Sequence, residues 1–228
     1  MTSLQALLKK IKTELREKEE IREKTEDDMR KARSLSKQAI LYTHQKRYDE
    51  AKRLIEKAKE SISSLNNASI KYPKIIHKGL LDAALQEYTE ANIFITLILE
   101  SKFITPEQID VPSVDYVLGL ADVVGEYRRL TLDYLREGAL EKGKECLRIM
   151  EEIYTELMAM DEAYALVSGL RRKCDIARRI IEATRGDITQ EVRRNALEQY
   201  LKNFENFVKK NLNGFNRRNE RKKTKRYC

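Results

Sequence analysis

The chain is poor in everything that punctuates or staples a fold. Its 228 residues include 8 glycines, 3 prolines (Pro73, Pro106, Pro112), 3 cysteines, 2 histidines and no tryptophan. So few breakers leave room for long uninterrupted helices. Cys146, Cys174 and Cys228 form an odd set without C-x-x-C spacing, which indicates neither a zinc knuckle nor a disulfide framework and fits a reducing cytoplasm. The most apolar run, Ile93 to Leu99, falls short of the roughly 18 to 20 residues that span a bilayer, so no membrane segment is expected. The N-terminus becomes charged too soon to supply the apolar stretch of a signal peptide. A phosphate-cradling glycine loop, a nucleophile elbow and a Cys/His pair at a suggestive spacing are all missing.

What is abundant is Ala, Leu, Glu, Lys and Arg, the composition of helices, and the fold class read from it is all-α. Charged residues make up 36%, and the mean hydropathy is −0.63. Narrow apolar stripes and broad solvated faces follow, in the ion-pair-rich style of thermophile proteins. The formal charge of +8 is concentrated at the end of the chain: seven basic residues from Arg217 to Arg226 face only Glu220. Such a segment is expected to be irregular, either a phosphate-holding arm or simply a solubilising tail. The domain reading is one helical domain over 1–212 and a basic tail over 213–228.

Periodicity predicts a bundle of about seven long antiparallel helices. The first carries Leu4, Leu8, Ile11 and Leu15, thins through a charged middle, and regains an apolar face at Leu35, Ala39 and Ile40. A second follows Tyr48, Ala51, Leu54, Ile55, Ala58 and Ile62. Pro73 suits the first turn of a third, from Lys74 to Ser101. Ser113 is a candidate N-cap for a fourth that reaches Glu137 before Gly138. The fifth starts at Gly143. A sixth runs past Tyr164 and closes at Gly186, and a seventh is capped by Asp187 or Thr189 and carries Val192 to Phe207. Apolar faces in excess of one core point to oligomer contacts.

The third and fourth helices hold the informative residues. Glu87 and Glu90 sit inside LDAALQEYTEANIFITLIL, and Asp122 and Glu126 inside DYVLGLADVVGEYRRL. Spacings of three and four place each pair on one helix face, so all four acids converge if these helices pack together. A carboxylate in such apolar surroundings must be charge-paired, protonated, metal-bound or on a polar seam. Arg128 and Arg129 lie within a turn of Glu126 and offer the pairing alternative. An all-oxygen donor set suits Mg²⁺, Mn²⁺ or Ca²⁺ rather than zinc. His44 and His77 complete no Glu-x-x-His motif, which disfavours a di-iron centre, and both read as surface or helix-end residues. Metal-assisted phosphodiester hydrolysis is the enzyme chemistry left open.

The segments EYTEA (87–91) and VDYVLGLADVVGE (114–126), supported by SKQAILYTH (36–44) and IIEATRGDI (180–188), resemble the acidic motifs of the translin family. The likeness is to the translin-associated factor X branch, in a compact form of prokaryotic or archaeal type. It implies an all-helical protein that binds RNA and single-stranded DNA and assembles into a closed, typically octameric shell. It also implies a metal-dependent endoribonuclease in which Glu87, Glu90, Asp122 and Glu126 match the acidic site residues, with Mg or Mn as cofactor. The translin branch lacks the first acidic pair. This chain is shorter than the eukaryotic factor X proteins and its basic tail has no counterpart, which favours a homo-oligomer over a mixed shell.

On the first helix, Arg22, Arg30, Arg33 and Lys37 are candidate phosphate contacts, with neutralisation by Glu19, Glu23 and Glu26 as the alternative. Aromatics, at 7%, are too few for base stacking to dominate, so recognition is expected to be independent of sequence. Two other functions compete with the nuclease: a non-catalytic nucleic-acid-binding oligomer, and a helical scaffold for protein partners.

Overall fold

A computed structural model describes residues 3–224, with side chains through Lys210 apart from Asp161 and Ala163. The first helix, α1 (Leu4–His44), is capped by the Ser3 hydroxyl, which accepts from the Ala6 amide. Its opening turns are exposed, and burial begins at Thr25 and follows Met29, Ala32, Ser36, Ala39, Ile40 and Thr43 at steps of three and four. Lys46, at φ 61, turns the chain into α2 (Tyr48–Lys71). Ala32, Ala39, Ala51 and Ala58 are wholly buried, and α1 and α2 are neighbours along much of their length. Short side chains at these positions let two backbones approach closely.

The third helix, α3 (Lys78–Glu100), begins four residues later than Pro73 suggested. Pro73 lies in the link between helices, and the His77 Nδ1 caps the new helix by accepting from the Leu80 amide. His77 is thus the helix-end residue expected of it. A one-turn helix, α4 (Pro106–Ile109), fills the connector through a reciprocal Thr105/Gln108 capping box. In α5 (Ser113–Arg136), Ser113 is the first helical residue and Pro112 occupies the cap; Gly138, at φ 73, ends the element. The next helix, α6 (Leu140–Met158), starts ahead of Gly143.

The largest departure from the expected layout is at the C-terminus. The sixth and seventh helices are one element, α7 (Leu170–Thr224), entered through Gly169 at φ 91. None of the expected stop and start signals acts. Gly186 keeps helical geometry, and Asp187 pairs with Arg128 instead of capping. The Thr184 and Thr189 hydroxyls bond back to the Ile180 and Arg185 carbonyls, four residues earlier. With no proline after residue 112, nothing forces a break. The helical backbone reaches Thr224, well into the 213–228 segment expected to be irregular; residues 225–228 lie outside the described residues.

Among the described residues there is no strand, and the fold is the expected all-α bundle. No helix among them is long and apolar enough to cross a membrane. The centre belongs to α3 and α5. The α3 helix neighbours α1, α2 and α5, while α5 neighbours α3, α6 and α7. Ile93, Phe94, Val123 and Val124 are fully buried, so both acid-bearing helices run through the core.

Candidate metal and nucleic-acid site

The α3–α5 crossing is set by a glycine. A Cβ added at Gly119 would stand 2.7 Å from both the Gln86 carbonyl oxygen and the Thr89 Cβ. Only hydrogen at that position lets the two backbones come so close. The contact falls beside Glu87 and Glu90 on α3 and one turn before Asp122 on α5, which is how the two acidic pairs are brought together. Gly119 was not among the residues singled out from sequence. Its one signal is a helix-weakening residue inside an apolar run, VLGLADVV.

Three of the four acids have a basic partner delivered by another helix. Glu87 Oε2 faces α1, with Arg33 Nε at 3.3 Å and Lys37 Nζ at 3.6 Å. Glu126 Oε2 lies 2.6 Å from the Nε2 of His44, the last residue of α1. Asp122 Oδ2 lies 2.5 Å from Lys173 Nζ on α7. That ammonium also donates to the Leu118 carbonyl and to Gln86 Oε1, each at 3.1 Å. Gln86 in turn donates to the buried Asp115, whose carboxyl burial pushes up, while that hydrogen bond holds it down. The partners expected nearby are engaged elsewhere or not at all: Arg128 pairs with Asp187.

Glu90 is the exception. It is 9% exposed and forms no hydrogen bond or ion pair with any described residue. Burial, and then the negative charges of Asp122, Glu126 and Glu87, push its pKa from 4.5 up to about 9, with Lys173 pulling slightly the other way. At neutral pH, without a cation, Glu90 holds a proton. Of the alternatives open from sequence, charge pairing describes Glu87 and Asp122, a histidine hydrogen bond describes Glu126, and protonation describes Glu90.

His44 was expected at the surface or a helix end. It is the final residue of α1, but its side chain is only 4% exposed. The tilted stack on Phe94, at 4.9 Å, explains the burial. Lys173 was also missed, since a basic residue on the Leu170–Ile181 face reads as solvated until α7 is seen packed against α5. Arg22 and Arg30 engage acids of their own helix: Arg22 pairs with Glu19 and Glu26, and Arg30 with Glu26 and Asp27. Arg33 and Lys37 alone among the four basic candidates reach the acidic cluster.

The donor set fits a hard divalent cation. It is all carboxylate oxygen, negative in sum, and includes a buried carboxyl with no hydrogen bond or ion pair among the described residues. Among the described residues no three acidic, histidine or cysteine side chains stand close enough to cage an ion already. An ion held here would have to displace the Glu90 proton and bring the carboxylate oxygens closer together.

The chain is thus a helical bundle whose two central helices pool four acids, with a basic edge on α1. The translin family profile matches residues 3–183, and the chain belongs to the translin family. An uncharacterized protein of Methanocaldococcus jannaschii is 34% identical over 155 residues, covering 68% of each chain. Among solved structures, apo-NeC3PO superposes with a TM-score of 0.75 at 25% identity, over 83% of this chain and 100% of that one. AfC3PO gives 0.72 at 34% identity, over 81% and 96%. The complex of AfC3PO with duplex RNA gives 0.71 at 34% identity, over 81% and 95%.

Proposed function

We propose that this protein is a metal-dependent endoribonuclease of the translin-associated factor X type, acting in the cytoplasm as a homo-oligomeric, octamer-like shell and preferring single-stranded RNA. The observation that carries the reading is the unpartnered, buried Glu90 amid three further carboxylates, an arrangement that costs stability and has no structural return. The similarity to AfC3PO, solved with duplex RNA, supports RNA as the ligand.

Glu87, Glu90, Asp122 and Glu126 would hold Mg²⁺ or Mn²⁺. A bound ion supplies electrophilic activation of the phosphate and of water. The protein's own groups do the rest. Arg33 and Lys37 meet the RNA backbone at the edge of the cluster, and Arg22 and Arg30 could join them only by leaving Glu19, Glu26 and Asp27. When a phosphate takes their charge, Glu87 is released from both. With an ion bound, Glu90 would serve as a ligand in place of holding a proton.

A second reading, a non-catalytic nucleic-acid binder, draws on one observation. Lys173 already neutralises Asp122, as it would in a purely structural seam. Cleavage of end-labelled single-stranded and duplex RNA with Mn²⁺ or Mg²⁺, beside an EDTA control and the Glu90→Ala, Asp122→Ala double variant, separates the two. The nuclease reading expects cation-dependent cutting that the variant loses. Cutting that survives in the variant, or salt-sensitive RNA retention with no cutting under any cation, overturns it.

A further inference from the structure

We propose that His44 is a positioning residue of the acidic site: its Nε2–H pins Glu126 Oε2 and leaves Oε1 as the oxygen that Glu126 offers to a divalent cation. The inference rests on the metal-site reading above and adds to it a residue from outside the acidic helices.

The argument begins with what the ring touches. An ionised carboxylate oxygen 2.6 Å from Nε2 can only accept, so Nε2 is the donor and Nδ1 is the ring nitrogen left over. Nδ1 finds no hydrogen bond, although it is fully buried. A half-satisfied polar ring in an apolar core is worse for stability than a leucine or phenylalanine filling the same space. The packing around it is aromatic: Phe94 stacks on the imidazole, and Tyr127 meets Phe94 edge-on at 5.7 Å. An apolar residue would suit this place, so the histidine is explained by its one polar contact.

That contact crosses 82 residues of sequence and joins the end of α1 to the middle of α5. Phe94 holds the ring plane, and the ring holds the carboxylate. On the same helix face Lys173 does the matching thing to Asp122, taking Oδ2. Each acid of the second pair therefore gives one oxygen to a part-buried donor from another helix, and Oε1 and Oδ1 remain. A donor behind a ligating carboxylate fixes its orientation before the ion arrives, and losing such a donor typically weakens metal binding by roughly 10–100-fold.

The test uses the full chain and three variants. His44→Phe keeps ring volume and the stack but has no donor, His44→Gln keeps a donor, and His44→Ala stands in should the phenylalanine variant fail to fold. Mn²⁺ binding is measured by calorimetry without RNA, together with Tm in EDTA and kcat and KM for RNA cleavage. We expect His44→Phe to bind Mn²⁺ about 10–100-fold more weakly and to lose kcat in proportion. Its KM for RNA should be unchanged and its Tm equal to or above that of the wild type, since the orphaned Nδ1 is gone. His44→Gln should recover most of the affinity. Wild-type Mn²⁺ affinity in His44→Phe, or a parallel loss of affinity and Tm in both His44→Phe and His44→Gln, overturns the inference alone. A wild-type chain that neither binds Mn²⁺ nor cuts RNA overturns the proposed function and this inference with it.

Discussion

Replacing Glu90 by glutamine isolates the charge at the centre of the site while keeping its shape. The folded protein holds the Glu90 pKa at about 9, whereas the unfolded chain returns it to about 4.5. Between those values the native state carries a proton that the unfolded state releases. Stability from this group is therefore present below pH 4.5 and is lost as pH rises towards 9. The ceiling on the loss is about 1.4 kcal/mol per pH unit, or about 2.7 kcal/mol from pH 6 to pH 8. Because Asp122, Glu126 and Glu87 share the titration, half of that, about 1.4 kcal/mol, is a fair expectation. For a chain of this size that is a Tm difference of roughly 3–6 °C. Glu90→Gln has no such proton to lose. Thermal unfolding in EDTA should show its Tm advantage over the wild type widening by that amount between pH 6 and pH 8, whatever the constant offset from the new amide. Parallel curves would mean that Glu90 is already ionised in the folded protein, and the argument from burial would fail. If Mn²⁺ takes the place of the proton, as the proposed function requires, the same scan with the ion should raise the wild-type Tm more at pH 8 than at pH 6.

Gly119→Ala should cost about 1–3 kcal/mol, because the new methyl meets the Gln86 backbone carbonyl, which cannot swing aside; Gly125→Ala, with open space around it on the same helix, is the control and should be neutral or slightly stabilising by urea unfolding. Lys173→Met strips a donor from Asp122, Gln86 and the Leu118 carbonyl together, and urea unfolding should register a loss on the order of 2–3 kcal/mol at pH 7. A variant as stable as the wild type would show that this ammonium is dispensable to the seam. Arg33→Gln, Lys37→Gln removes two exposed side chains whose ion pairs contribute less than about 1 kcal/mol, so Tm should hold. The dependence of log K on log salt for single-stranded RNA should become shallower by about 1.4 in a binding titration, and an unchanged slope would remove both residues from the RNA path.

The sequence by itself determined the class and the position of the acids. Few breakers, stripes at steps of three and four, and carboxylates embedded in apolar runs made an all-α bundle with Glu87, Glu90, Asp122 and Glu126 on two core helices readable from local chemistry. Boundaries were less readable because their signals compete. Gly186, Asp187 and Thr189 look like a stop and a start, yet without proline the helix continues and the side chains find other partners. What only tertiary structure decided is which charges meet. His44 lies 82 residues from Glu126, and Lys173 lies 51 residues from Asp122, distances over which periodicity is silent. Gly119 shows its purpose only when α3 crosses it. The same packing that buries Glu90 also leaves this carboxyl, alone of the four, without an ion pair to a described residue, so its elevated pKa belongs to the assembled bundle and to no segment of the chain.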